Sequence, residues 1–92
     1  MIIAGASNLG LETLAILLQN GFTDDVIFFD SNPQKEGMLF NRYKVCTHEV
    51  EITAYIEKNP EFVVAIGHPR LRERMYKKMQ AWGGKPVNVI SK

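Results

Sequence analysis

The sequence predicts an α/β fold: a three-layer domain with helices on both faces of a mostly parallel sheet of four to five strands. Three observations carry this. The apolar runs of the strands expected at Met1–Ala4, Val26–Asp30 (apolar through Phe29) and Phe62–Ile66 are continuous rather than alternating, as in strands covered on both faces. Helical patterns separate them, so strands and helices alternate. The opening stretch, MIIAGASNLGLETLAILL, sets a strand, a small-residue turn and an apolar helical stripe in succession, which is half of a nucleotide-binding βαβ unit.

Taken in order, Met1-Ile2-Ile3-Ala4 is a buried strand and Gly5-Ala6-Ser7-Asn8-Leu9-Gly10 the turn. Leu11, Leu14, Ala15 and Leu18 then fall at i, i+3, i+4 and i+7, the stripe of an amphipathic helix. Asn20-Gly21 ends that helix, since glycine suits the left-handed C-terminal position. Ser31 to Asn41, rich in Asn, Pro, Lys and Gly, is a loop, and Tyr43–Cys46 a short edge strand. Thr47 is the expected N-cap of a second helix, with Glu49 and Glu51 in its first turn and Ile52, Tyr55 and Ile56 inward. Asn59-Pro60 stops it. After Phe62–Ile66, Pro69 opens a third helix that runs to about Trp82 with Leu71, Met75, Met79 and Trp82 inward. Gly83-Gly84 ends it, and Pro86–Ile90 is the last strand.

Composition excludes several classes. Eleven basic and ten acidic residues nearly balance, so no bulk electrostatic case for nucleic acid or an anionic membrane exists. The apolar runs fall far short of the ~20 residues a membrane span requires. Met1 leads straight into a strand, so no signal peptide is expected, and the lone Cys46 fits a reducing cytoplasm. Cys46 and His48 form a C-x-H pair without a second ligand pair, so Cys46 is expected as a small apolar residue and no metal site is expected.

If the first strand lies between the second and the Phe62–Ile66 strand, the strand order reverses there, and ligands in open α/β sheets bind at that switch point. Gly5, Asp30 and Gly67 all stand at carboxyl ends of such strands. Small residues in the Gly5–Gly10 turn let the backbone approach a ligand, and the amides at a helix start favour a diphosphate. Ser7 and Asn8 either donate to phosphate oxygens or cap the helix. Asp30 either accepts from a ribose or base, with Asn32 as a weaker companion, or is a solvated strand end or a turn-capping carboxylate. His68 is a cap or a ligand contact rather than a catalytic base. Arg72 meets a phosphate or sugar, or belongs with Arg70, Arg74, Lys77 and Lys78 to a solvated helix face.

These pieces, IIAGASNLGLETLAILLQNG, VIFFDSNPQKEG, FNRYKV and FVVAIGHPRLRERMYKKMQAWGGKPVNVI, together resemble the N-terminal domain of the sialic acid O-acetyltransferase (NeuD/PglD-like) family of hexapeptide-repeat sugar acyltransferases. The resemblance implies one Rossmann-like domain over residues 1–92 that holds a nucleotide-linked sugar, usually a UDP-sugar. It also implies a downstream left-handed β-helix, trimeric in the parent, that carries the acetyl-CoA site and the catalytic histidine. On it, Gly5, Ala6, Ser7 and Gly10 line the diphosphate turn, Asp30 lies near the nucleoside, and Gly67 and Arg72 belong to the third-strand motif I-G-x-x-x-x-R. No cofactor is expected in this domain and no activity from it alone. The family turn commonly reads G-x-G-G-H-G or G-A-S-G-H-G; here Asn8 and Leu9 replace Gly and His. His68 stands where the family often has Asn or Asp.

Two other functions compete with this one. The turn and Asp30 also suit an NAD(P)-type dinucleotide module. A Rossmann-like domain that has lost its ligand, kept for structure or oligomerisation, would show Leu9 packed over the glycine backbone.

Overall fold

A computed structural model describes residues 1–39 and 42–88. In chain order the elements are β1 (Ile2–Ala4), α1 (Asn8–Gln19), β2 (Ile27–Phe29), a single 3-10 turn (Pro33–Lys35), β3 (Gly37–Leu39), β4 (Tyr43–Cys46), α2 (Glu49–Lys58), β5 (Glu61–Val64), α3 (Pro69–Ala81) and β6 (Lys85–Pro86). The sheet order is β3-β4-β2-β1-β5-β6, parallel throughout except for β3 against β4. The expected α/β class holds, but the sheet has six strands rather than four or five.

The continuous apolar runs do what their pattern dictates. Along β1, Ile2 and Ala4 enter one core and Ile3 the other; along β2, Ile27 and Phe29 take the first side and Phe28 the second. α2 and α3 cover the first side with Ile52, Ile56, Met75 and Met79. α1 covers the second with Leu14 and Leu17. Successive side chains of a strand point to opposite faces, so a strand buried on both must be apolar at every position.

Four local expectations need correction. In α1 the inward residues are Gly10, Leu14 and Leu17, whereas Ala15 is exposed and Leu18 is 51% exposed. The stripe is turned because Gly10, at the start, seats the helix against the turn. In α3 Leu71 is 48% exposed, while Met75 and Met79 are buried as expected. Thr47 is not the cap of α2: His48 occupies that position without a side-chain bond, and the Thr47 hydroxyl is buried with no partner. Finally, β4 is not an edge, because Gly37–Leu39, expected as loop, pairs against it. Of the expected last strand, Val89 and Ile90 lie outside the described residues.

The helix ends follow their glycines. At the end of α1 Phe22 donates to the Leu17 carbonyl at 3.0 Å and Gly21 to that of Leu18 at 3.1 Å, with Gly21 at φ +80. This nested pair satisfies carbonyls that the helix leaves open. Gly84 to Met79 and Gly83 to Gln80 repeat it after α3.

Cys46 is fully buried on β4. Burial, with the Glu51 carboxylate beside it, pushes its thiol up from 9.0 to about 11. The folded chain therefore holds the thiol proton at pH values where the unfolded chain has released it. Stability is expected to be unaffected by this group below about pH 9 and to fall as pH rises from there through about 11. A disulfide reagent at pH 8 should label Cys46 in denaturant and leave the native chain unlabelled; fast native labelling would contradict this burial.

Candidate functional site

β1 lies between β2 and β5, in register Ile3 with Phe28 on one side and Val63 on the other. The chain thus leaves β1 toward β2 and β4, then returns to β5 on the opposite side. The switch point expected from the sequence exists, with the ends of β1, β2 and β5 around it.

The turn after β1 is closed by backbone packing. Gly5 has φ +129, and a Cβ there would stand 2.4 Å from the Ala65 carbonyl oxygen. A side chain at that dihedral is strained as well as obstructed. The Gly5 N–H donates to the Phe29 carbonyl at 2.8 Å. Gly10 sits in the first turn of α1 directly over this loop, where a Cβ would meet the Gly5 carbonyl oxygen at 2.1 Å. Both glycines are needed before any ligand is considered.

Asp30 fixes the same turn from β2. Its Oδ2 accepts from the Ala6 N–H at 3.0 Å and its Oδ1 from the Asn32 N–H at 2.9 Å. Asn32 in turn accepts from the Gln34 N–H at 3.0 Å, capping the 3-10 turn. Asp30 therefore caps the turn, one of the readings the sequence allowed, although each oxygen keeps a lone pair for an outside donor. An Asp30→Asn variant offers one acceptor and one donor to two N–H groups. We expect it to lose about 1–3 kcal/mol of unfolding free energy, the range for a hydrogen-bond donor left without its acceptor. A denaturant midpoint equal to wild type would show that the brace contributes nothing.

Ser7 occupies the N-cap of α1 without a side-chain capping bond, and its carbonyl accepts from Leu11 at 3.1 Å. The amides at the start of a helix have no intrahelical acceptor. No acidic residue occupies the first turn of α1 itself, and the Asp30 carboxylate on the Ala6 amide is the negative charge beside it. His68 caps α3: its Nδ1 accepts from the Leu71 N–H at a long 3.5 Å. Gly67 is exposed, and a Cβ on it would meet nothing within 4 Å.

Two cavities flank the β1–α1 connection. A crevice of about 390 Å³ lies at the strand ends, lined among others by Gly5, Asp30, Ser31 and Ile66 and, from α3, by Arg74 and Lys78. The other, about 490 Å³, is lined by Leu9, Thr13 and Ile16 of α1, by β5, and by Arg72, Tyr76 and Asn88. The sequence-derived candidates are thereby divided. Gly5 and Asp30 line the crevice, and Arg72 lines the other cavity. Ser7, Asn8, Asn32, Gly67 and His68 border the same end of the sheet, and Ala6 and Gly10 are buried in the turn. Leu9 is 36% exposed and lines the other cavity rather than the crevice that Gly5 lines.

Arg74, Lys78 and Ser31 line the crevice and were not singled out as ligand contacts. A signal for the pair was present: Leu71, Arg74, Met75 and Lys78 fall at i, i+3, i+4 and i+7, one stripe of α3. Away from this end, His48 Nε2 pairs with Glu36 at 2.9 Å and Cys46 donates to the His48 carbonyl at 3.4 Å. Among the described residues no group of three metal-ligating side chains occurs. Nor is any described helix long and apolar enough to cross a membrane.

A Rossmann-like α/β domain with an open crevice at the switch point of its sheet is the class this geometry defines. The chain belongs to the PglD N-terminal domain family, whose model matches residues 1–79. No curated protein matches it. Two X-ray structures of mutants of perosamine N-acetyltransferase, or GDP-perosamine N-acetyltransferase, from Caulobacter crescentus share the fold, with TM-scores of 0.80 and 0.78 at 24% identity. Both are complexes with CoA and GDP-perosamine. Each match covers 98% of this chain and 41% of the other, so the chain spans less than half the length of those enzymes.

Proposed function

We propose that residues 1–92 form the substrate-binding part of a sugar acetyltransferase and hold a nucleotide-linked sugar in the crevice at the ends of β1, β2 and β5. One observation carries this reading above the others. The crevice opens at the switch point, with Gly5 of the small-residue turn on one wall and two cationic side chains on another. A nucleoside diphosphate needs such a combination, and the family and the shared fold agree with it. Acyl transfer from acetyl-CoA belongs in this proposal to a β-helix domain elsewhere in a trimeric parent, and this domain is not active alone. We keep the UDP-sugar as the reference ligand; the solved relatives hold a GDP-sugar, so both bases belong in the test.

Titrating isotope-labelled protein with UDP-sugars, GDP-sugars and NAD separates the readings. A nucleotide sugar is expected to shift the amides of Gly5, Ser7, Asp30, Ser31 and Ile66. Selective response to NAD would favour a dinucleotide module. Silence toward all three at millimolar concentration, with dispersed spectra, would leave the structural or oligomerisation role.

A further inference from the structure

Helix α3 carries its cations on different sides. Lys77 is exposed and pairs with Glu73 one turn away, at 3.0 Å. Arg74 and Lys78, also one turn apart, line the crevice with Leu71 and Met75. Among the described residues neither has an acidic partner. The Lys78 ammonium stands 5.9 Å from the Trp82 ring centroid, and that ring packs edge-on against buried Phe29 at 5.4 Å. The lysine is thus held at the rim by a ring that is itself fixed. The one carboxylate among the lining residues, Asp30, already accepts the Ala6 and Asn32 amides. The Gly5 amide is bound to Phe29 and the Ala6 amide to Asp30, so neither is available to a ligand. The crevice therefore sets two cations against one carboxylate, leaving it net positive, and has fewer backbone donors than a glycine turn suggests.

We propose that Arg74 and Lys78 are the anion clamp of this crevice and grip the diphosphate of its ligand, which rests on the nucleotide-sugar reading above. Arg74 offers a planar fork that matches two phosphate oxygens at once; Lys78 adds a point charge one turn on. The apolar faces of Ile66, Leu71 and Met75 lie beside them for the nucleoside. Asp30 acts in this arrangement as a positioning residue, holding the turn rather than the ligand.

The test is a titration of the 92-residue chain with inorganic pyrophosphate and, separately, with UDP- and GDP-sugars. It compares wild type, Arg74→Gln/Lys78→Gln and the control Lys77→Gln, with spectral dispersion confirming the fold. Loss of both crevice cations should weaken pyrophosphate binding about tenfold or more, the size expected for charge-assisted contacts in a partly solvated site. Lys77→Gln should bind as wild type. Equal weakening by Lys77→Gln would mean a diffuse basic face and overturn the clamp. Nucleotide-sugar binding that survives intact in the double variant would also overturn it while leaving the ligand class standing. Pyrophosphate binding that depends on Arg74 and Lys78, with no nucleotide-sugar binding, would keep the clamp and reject that class. No binding of either ligand by wild type would reject both.

Discussion

Replacing Gly10 with alanine is expected to destabilise the chain by about 2–4 kcal/mol, read from its denaturant midpoint, although alanine is the better helix former. Propensity alone would favour the change by about 1 kcal/mol. Packing opposes it more strongly. The new methyl carbon would lie 2.1 Å from the Gly5 carbonyl oxygen and 3.2 Å from Cε1 of Phe28. The carbonyl cannot withdraw easily. Its own residue is tied through Gly5 N–H to Phe29, the next through Ala6 N–H to Asp30, and the Gly5 Cα faces the Ala65 carbonyl. Relief must come from lifting the start of α1, which would draw Leu14 and Leu17 from the core they share with Ile3 and Phe28. Gly67→Ala is the control: nothing lies within 4 Å of its Cβ, so a change within about 0.5 kcal/mol is expected. A Gly10→Ala chain as stable as wild type would mean that helix and turn are not in contact as described.

That contact also explains what the sequence made legible. Burial on both faces is written directly as an unbroken apolar run, so β1, β2 and β5 could be found, and with them the ends where Gly5 and Asp30 stand. Gly37–Leu39 has no such run, and Met38 is 52% exposed. This segment is a strand because β4 offers it an edge, which no local pattern records. Asp30 was legible as a position but not as a role, since its two amide donors come from different loops, 24 residues upstream and two downstream. For α3 the helix was legible and its rotation was not. Arg72 and Arg74 differ by two residues, about 200° around a helix, and that turn puts them in separate cavities. The spacing groups Arg74 and Lys78 with Leu71 and Met75 on one stripe, but which stripe faces the crevice could not be decided before the sheet was in place.

Truncating Phe62 to alanine should cost about 3–5 kcal/mol, the range for a large aromatic removed from a closed core. Its side chain is fully buried on β5, between Ile2 of β1 and Pro86 of β6 in register. The ring meets Tyr76 of α3 edge-on, centroids 5.7 Å apart. It also meets the chain leaving α3: a Cβ on Gly84 would stand 2.7 Å from its Cδ1 and 2.9 Å from the Met79 carbonyl oxygen. Collapse into the vacated space is restricted, because β5 is paired on both sides and Gly84 is held by its bond to Met79 at 2.9 Å. Two neighbours of one ring should therefore not behave additively. Gly84→Ala is destabilising in the wild-type chain, where it meets both ring and carbonyl. With the ring gone only the carbonyl contact remains, so the same change should cost less. Denaturation of the two single variants and the double variant against wild type measures the difference, and a coupling of at least about 0.5 kcal/mol is expected for residues in contact. Strict additivity would show that Gly84 does not lie against Phe62 and that α3 closes on the sheet by some other route.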